Sequence, residues 1–294
     1  MIRVYNADRK GTQNHNFIMK HLGVSPVAAA ERIEGMFAHQ NICSLSSDCS
    51  VNTHDFVGRV IRRQPLLEHL HEFCSYAKTF NISEYTLKIN SPLRLLDLWE
   101  DDPIGSAGPK VVDSNSLTPS QQNEIHKLFT PFSDVIYPQH IFSVFSQKDI
   151  KGIKRYYSNN NLFASELKKR KERSKAIGED FNESQYQEII WLDFTFKLKN
   201  WALENGFDSF VYANNKEGNG EDTYVTLLPN QVSYSGASLE FNEEKYLAEM
   251  PQLISKMIGN MIGNMRNKPL HMANHVLWAQ KDPMCYWELS QSTT

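Results

Sequence analysis

The chain has 294 residues, and 40% of them are hydrophobic, which is enough for one large packed domain or two smaller ones. Its net charge of -3 and isoelectric point near 6.4 give no overall attraction for nucleic acid, so a nucleic-acid partner is not expected. No apolar run approaches the roughly 18 residues that a membrane span requires.

The cysteines and the N-terminal residues bear on where the protein works. The four cysteines form no CxxC pair, and no HExxH motif or Cys/His cluster is present, so we expect a reducing compartment and no structural metal. The first residues lack a signal-peptide pattern. We therefore expect a cytoplasmic protein, or one secreted into a target cell without a classical signal peptide.

Apolar patterns in the first hundred residues predict strands alternating with helices. Pro26 follows Ser25, a residue type that commonly caps helices, and this pair marks a helix start. The predicted strands are Ile2–Asn6, Ile42–Ser46 (a strand or its rim) and Glu84–Asn90. The predicted helices are Asn14–Leu22, Pro26–His39, Thr53–Arg63 and Pro65–Phe80.

The middle of the chain predicts a loop, two helices and a basic segment. Residues 101–120 are rich in Asp, Pro, Gly and Ser, which is typical of a loop or linker. Helices are predicted at Ser120–Phe129 and Glu183–Asn205, and Gly206 ends the second. The basic run Lys168–Arg173 has two interpretations, a solvated helix face or a patch that attracts an acidic protein, a phosphoinositide surface or RNA.

Helical spacing returns in the C-terminal part, where apolar residues recur through Glu243–Met265. Pro251 should kink this helix or mark its true start. Two interpretations stay open: the helix docks on the core of its own domain, or it binds a partner or a membrane surface.

An acidic glycine loop between two apolar strands is the most informative local pattern. The first strand lies in Gly206–Asn214 and the second begins at Tyr224. Between them, glycines and asparagines supply turn residues, and Glu217 and Glu221 supply carboxylates. The loop is either the solvated tip of a plain hairpin or part of a sheet edge whose acidic side chains a substrate can reach.

Three blocks in this order resemble motifs of the ADP-ribosyltransferase superfamily, in particular the bacterial mono-ADP-ribosylating toxins and effectors. They are Val4-Tyr5-Asn6-Ala7-Asp8-Arg9, Ile42-Cys43-Ser44-Leu45-Ser46-Ser47-Asp48, and the region Gly206–Val232. The chain departs from the family pattern at Asn6, where the family has arginine or histidine, and at Leu45, where it usually has threonine. Aligned with poly-ADP-ribose polymerases, the catalytic position falls on Thr223; aligned with the toxins, it falls on Glu221.

The resemblance implies a set of site residues. Glu221, with Glu217 in reserve, would stabilise the positive charge that grows on the ribose of NAD as nicotinamide leaves. Ser44 would hydrogen-bond the ribose or hold Glu221 in place. The residues expected to bind NAD are Arg3, Asn6, Arg9 and Ser46.

The resemblance also implies a fold and an activity. We expect an α+β protein with a split, mixed sheet in residues 1–241, a helical insertion at about 115–205, and a C-terminal helical extension at 242–294. The expected activity is transfer of ADP-ribose from NAD to a side chain of an acceptor protein, as in secreted effectors and toxins, with NAD as substrate and no metal.

Two other functions stay open. In the first, Asn6 and Thr223 stand where the family has functional residues, so catalysis is lost. The protein is then an inactive ADP-ribosyltransferase-like module that binds a partner protein. In the second, the basic run binds RNA for a nuclease or phosphotransferase reaction, which predicts strongly salt-dependent binding.

Overall fold

A computed structural model describes residues 1–11, 20–40, 42–55, 58–96, 112–129, 168, 171–172, 175, 197–215, 217–262, 270–271 and 281–290. The chain divides into two compact units. The first unit combines Met1–Lys88 with Asn214–Thr294, and the second is Ile89–Ala213. The first unit is therefore assembled from two segments that are distant in sequence.

The described strands and helices are as follows. The strands are β1 (Ile2–Arg9), β2 (His21–Gly23), β3 (Ile42–Leu45), β4 (Ser50–His54), β5 (Val60–Pro65), β6 (Phe80–Leu87), β7 (Pro92–Arg94), β8 (Ser209–Ala213), β9 (Asp222–Thr226), β10 (Val232–Phe241), β11 (Leu270–His271) and β12 (Trp287–Leu289). The helices are α1 (Pro26–Gln40), α2 (Leu66–Ala77), α3 (Pro119–Phe129), α4 (197–204) and α5 (Glu243–Ile262). Short 3₁₀ helices lie at Ser114–Ser116, Gly218–Gly220 and Pro283–Tyr286.

Two antiparallel sheets form the first unit. Six strands follow the order β12-β10-β6-β1-β2-β9, and four follow the order β11-β3-β4-β5. β1 occupies an interior position and pairs along its full length with β6, from Ile2↔Leu87 to Arg9↔Phe80. Tyr5 also faces Gly23 of β2, which in turn faces Thr223 of β9, so β1 and β9 lie two strand spacings apart, roughly 10 Å.

The core of the first unit lies between the helices and one face of these strands. α5 places Tyr246, Met250, Ile254 and Ile258 in it at intervals of four residues, which aligns them on one side of the helix. The ring of Phe73 on α2 packs against the rings of Phe241 and Tyr246, with centroids 5.6 and 5.3 Å away. Of the two interpretations of the C-terminal helix, docking on the core of its own domain is therefore the one that these residues support.

The second unit contains a parallel strand pair and two described helices. β7 runs parallel to β8, with Leu93 opposite Phe210. The carboxylate of Asp208 accepts hydrogen bonds from the backbone N–H groups of Asn90 and Ser91, at 2.7 and 3.1 Å. α4 ends before Gly206, whose φ of 82° confirms the predicted stop.

Two helix predictions were wrong. Leu22 belongs to strand β2 rather than to a helix Asn14–Leu22, of which residues 14–19 lie outside the described ranges. The segment predicted as helix Thr53–Arg63 contains the end of β4 and most of β5. The side chain of Asp55 ties the ends of these strands together by accepting from the backbone N–H of Arg59 at 2.8 Å, a contact that favours a turn over a helix.

The expected fold class is confirmed in its coarser form. The chain is an α+β protein, and its strand pairing is mixed, with antiparallel sheets in the first unit and a parallel pair in the second. Pro251 lies inside α5, which begins eight residues earlier, so it does not mark the start of the helix.

Candidate functional site

The acidic connector between β8 and β9, described at residues 214–215 and 217–221, is folded back on itself by its own backbone. The N–H of Asn214 donates to the carbonyl of Glu221 at 2.9 Å, and the N–H of Gly220 donates to the carbonyl of Asn214 at 2.8 Å. The Asn214 side chain accepts from the N–H of Glu217 at 2.9 Å. These bonds fix a compact turn in place of an open, mobile hairpin tip.

The connector also docks on helix α1. The N–H of Gly218 donates to the Glu31 carboxylate at 2.7 Å, and the Glu217 carboxylate lies 3.5 Å from the Arg32 guanidinium. A Cβ atom on Gly218 would lie 2.8 Å from the Cβ of Ala28, so only glycine allows this approach. Its φ of 74° also favours glycine.

The Glu31 carboxylate is the centre of this contact. Burial raises its pKa above the usual value, the hydrogen bond from Gly218 opposes that rise, and nearby Asp282 adds to it. Asp282 begins the 3₁₀ helix Pro283–Tyr286, which also contacts α1. A half-buried carboxylate therefore joins the connector to the N-terminal half of α1.

The two predicted catalytic acids have different surroundings. The side chain of Glu217 is 18% exposed and is paired with Arg32. Glu221 is exposed, and its carboxylate has no partner among the residues that the structure describes. Since a carboxylate must face substrate without a neutralising cation to stabilise positive charge, Glu221 is the better placed of the two.

The predicted serines lie in the other sheet, on β3 and directly after it. Ser44 is 1% exposed, and its hydroxyl lies 2.7 Å from Nε2 of His54. Nδ1 of the same ring lies 3.2 Å from the carbonyl of Gly58, which only accepts, so Nδ1 is the donor in that contact. Within the described ranges, no hydrogen bond joins Ser44 to Glu221.

Ser46 is engaged in the same way. Its hydroxyl accepts from the Asn52 side chain at 2.8 Å. By strand alternation Ser44 and Ser46 share one face of the sheet, with Asn52 and His54 on the neighbouring strand β4. The two serines therefore lie on the same face of the sheet, with Ser44 hydrogen-bonded to His54 and Ser46 to Asn52.

The predicted NAD-binding residues of β1 point to both faces of the strand. Arg3 is 71% exposed and lies 3.7 Å from Glu84. Arg9 lies on the same face of β1 as Arg3, and its guanidinium is 5.4 Å from the centroid of the Phe80 ring. Asn6 points to the opposite face, where its amide donates to Asp8 at 2.5 Å. Asn6 is therefore separated from Arg3 by the strand itself.

A polar group that the sequence did not single out surrounds Asp8. Its carboxylate accepts from the Tyr85 hydroxyl at 2.5 Å and from the Lys20 ammonium at 2.8 Å, besides the bond from Asn6. Burial and the bond to Asp8 raise the pKa of Tyr85, which keeps its hydroxyl a donor. In the sequence, Asp8 stands within the first of the three blocks and alternates with Asn6 on a strand, but nothing there indicates its partners Tyr85 and Lys20.

The basic run is described only in part. Lys168, Lys171 and Glu172 are helical and exposed, and the Lys168 ammonium lies 3.9 Å from the Glu172 carboxylate. These three residues fit a solvated helix face. The other residues of the run lie outside the described ranges.

The described residues contain neither a metal-binding cluster nor a membrane-spanning helix. No group of three or more His, Cys, Asp or Glu side chains is arranged there to hold a metal ion. None of the helices in those ranges is long and apolar enough to cross a membrane.

The chain matches no family model, and no curated protein or solved structure matches it either.

Proposed function

We propose that the protein is a mono-ADP-ribosyltransferase that transfers ADP-ribose from NAD to a side chain of an acceptor protein, and that its sheets are of the ADP-ribosyltransferase type. The observation that carries the proposal is the docked connector, which holds Glu221 exposed beside β9. The connector fixes the backbone of Glu221 and leaves its carboxylate without a neutralising cation among the described residues, so the carboxylate is available to stabilise positive charge on a substrate.

The reaction breaks the bond between C1′ of the ribose and the nicotinamide nitrogen, and the bonding electron pair leaves with nicotinamide. Positive charge grows on the ribose, as it does at the transition state of glycoside hydrolysis. Glu221 stabilises this charge, and a nucleophile of the acceptor protein then bonds to C1′ and releases a proton.

The remaining residues have supporting roles in this proposal. Glu217 anchors the connector through Arg32, since that cation already neutralises its charge. Arg3 and Arg9 share one face of β1, two strands from β9, and are assigned to NAD binding. Asn6 lies on the other face and belongs to the polar group around Asp8. Ser44 and Ser46 stabilise the four-stranded sheet instead of binding NAD, because their hydroxyl groups are already hydrogen-bonded to His54 and Asn52.

Nicotinamide release from NAD by the purified chain tests the proposal. Glu221→Gln keeps the size of the side chain and removes its charge, so we expect release to slow by about 10²–10³-fold, as for the loss of one electrostatic group at a reacting centre. Glu217→Gln should slow it much less. Glu244→Gln, at an exposed site on α5, is the matched control and should leave the rate unchanged.

Equal rates for the parent chain and Glu221→Gln would reject the assignment of Glu221. A folded parent chain that neither cleaves NAD nor labels any protein in a lysate would favour the alternative, an inactive binding module.

A further inference from the structure

Helix α1 contacts two segments that are distant from each other in sequence. The acidic connector docks on it through Gly218, and the C-terminal segment, residues 281–290, contacts it through the 3₁₀ helix Pro283–Tyr286. The side chain of Glu31 interacts with both segments. Its carboxylate accepts from the N–H of Gly218 at 2.7 Å and interacts electrostatically with Asp282, the N-cap residue of the 3₁₀ helix. A change in the charge of Glu31 therefore acts on both segments.

The two carboxylates, those of Glu31 and Asp282, carry like charges that no cation in the described ranges neutralises. The neighbouring cations on α1 and in the C-terminal segment each have another carboxylate partner. These two ion pairs are Arg32–Glu217, at 3.5 Å, and Lys281–Glu249, at 3.4 Å. Among the described residues, Asp282 is the one charged side chain that acts on Glu31 from the elements packed against α1. At neutral pH the pair is therefore repulsive.

Protonation of Glu31 changes this contact without breaking it. A protonated carboxyl group keeps an acceptor oxygen for the N–H of Gly218 and gains a hydroxyl donor. Asp282 accepts from the N–H of Met284 at 2.9 Å through one oxygen, so its other oxygen can accept from a hydroxyl. Burial of Glu31 and the charge of Asp282 raise the pKa of Glu31 against the hydrogen bond from Gly218, so the docked connector favours the protonated form.

Other titratable side chains around α1 do not produce the same response. Glu34, one turn after Glu31, is 5% exposed; burial, with Glu34 contributing, raises the pKa of Tyr246 and of Tyr286, so both hydroxyl groups stay protonated. His69 of α2 also packs against α1, and burial lowers its pKa to about 4. The unfolded chain takes up the histidine proton first, so His69 weakens the folded state in acid, which is opposite in sign to the effect of Glu31.

We propose that the Glu31–Asp282 pair is a pH-sensitive switch, which strengthens the docking of the acidic connector and of the C-terminal segment on α1 when the pair takes up one proton from solvent. Without the proton, the two carboxylates repel each other and both segments are held less tightly. With it, a hydrogen bond between the two groups replaces the repulsion, since neighbouring carboxyl groups titrate as a pair and can share one proton.

The sign of the response follows from the direction of the pKa shift. The pKa of Glu31 is raised in the folded chain, so the docked state binds the proton more tightly than the undocked state. Docking therefore strengthens as pH falls towards the ordinary range of a glutamate. The switch acts on the connector that carries Glu221, and only its effect on catalysis rests on the proposed function.

Hydrogen exchange of the full chain, followed by mass spectrometry near pH 7.5 and near pH 5 and corrected for the intrinsic rate of each amide, tests the inference. In the parent chain we expect peptides from the connector and from residues 281–290 to be at least about threefold better protected at the lower pH. Glu31→Gln keeps an acceptor oxygen and cannot ionise, so both peptides should be well protected at both pH values. Asp282→Asn keeps an N-cap side chain and removes the repulsion, so it should reduce the pH dependence. Glu244→Gln, at an exposed site on α5, is the matched control and should respond like the parent.

An equal pH dependence in the parent chain and in Glu31→Gln would overturn the inference, as would a parent chain whose connector is no better protected at the lower pH. A response confined to the connector would show that Glu31 acts alone and would reject the pair. The exchange experiment contains no NAD, so the two proposals fail separately. A chain that shows the response and leaves NAD intact keeps the switch and rejects the proposed function, whereas a chain that cleaves NAD without the response rejects the switch alone.

Discussion

His69 on α2 is a buried titratable side chain, only 3% exposed, in the core of the first unit. Burial lowers its pKa to about 4, a drop that Glu72 opposes and Arg62 reinforces. Nδ1 lies 3.1 Å from the amide nitrogen of Gln64, which can only donate, so the folded state holds a neutral ring with Nδ1 as acceptor. The neighbouring ring of Phe37, 5.4 Å away, offers no compensation for a charge.

The buried, neutral His69 makes the free energy of unfolding depend on pH. The folded pKa lies below the unfolded value near 6.5, so the unfolded chain takes up the proton first as pH falls, and stability is lost between pH 6.5 and pH 4. The loss attributable to His69 is about 3 kcal/mol. We expect His69→Phe to remove that part of the slope in urea unfolding at several pH values. His71→Gln, at an exposed histidine, should keep the parent slope, and parallel curves for the parent and His69→Phe would contradict the prediction.

The residue patterns predicted exposed acidic side chains for the candidate site, but they did not predict the residues that hold the acidic connector in place. Glu217 and Glu221 were found because glycines and asparagines surround them in sequence. Glu31, Arg32 and His54 were missed, since each becomes informative only through a partner elsewhere; the Glu31–Gly218 contact alone spans 187 positions. Asp8 was quoted within a motif, but the donors from Lys20 and Tyr85 that define its surroundings come from other strands.

At the scale of elements, the contact of the connector with α1 depends on one glycine. Gly218→Ala would force a Cβ to within 2.8 Å of Ala28 at a φ of 74°, and we expect it to lower the free energy of unfolding by about 2–4 kcal/mol. Gly236→Ala shares the positive φ but meets open space, so it should cost about 1 kcal/mol. Urea unfolding followed by circular dichroism measures both, and equal losses would show that the close approach to α1 contributes nothing.

The helices α1, α2, α3 and α5 were all predicted, whereas several strands were missed or predicted as helix, and the reason is physical. α1, α2, α3 and α5 each bury one face, and the resulting period is visible within a single segment. β5 is at the end of its sheet, and its residues Val60–Arg63 are exposed on both faces, so no alternation marks it. β10 was not predicted because its middle is Ser, Gly and Ala, and its hydrogen-bonding partner β6 is about 150 residues away. Sheets depend on such distant pairing, which local propensity does not record.

At the scale of the whole molecule, the first unit is completed by residues near the C-terminal end of the described chain. β12 pairs with β10 and places Trp287, 7% exposed, against Phe241, while Tyr286 is 1% exposed. We expect Trp287→Ala to lower the free energy of unfolding of the first unit by about 3–5 kcal/mol. Leu289→Ala, on the same strand but 72% exposed, should change it by less than about 0.5 kcal/mol.

Thermal and urea unfolding of both variants provide the measurement. A chain ending at Lys281 loses both buried aromatic residues and should not show a cooperative transition for the first unit. Comparable stability of Trp287→Ala and the parent chain would mean that the core closes without this segment.

The two-part construction of the first unit has a consequence for biosynthesis. Leu87 and Trp287 are 200 positions apart, which at roughly 5–20 residues per second corresponds to about 10–40 s of translation. For most of that time the nascent β1 and β6 lack β9 and β10, which begin at Asp222 and Val232, and for all of it they lack β12. Their apolar side chains are exposed to water during this interval, so we expect the nascent chain to bind a chaperone that covers exposed strands until the later strands are synthesised.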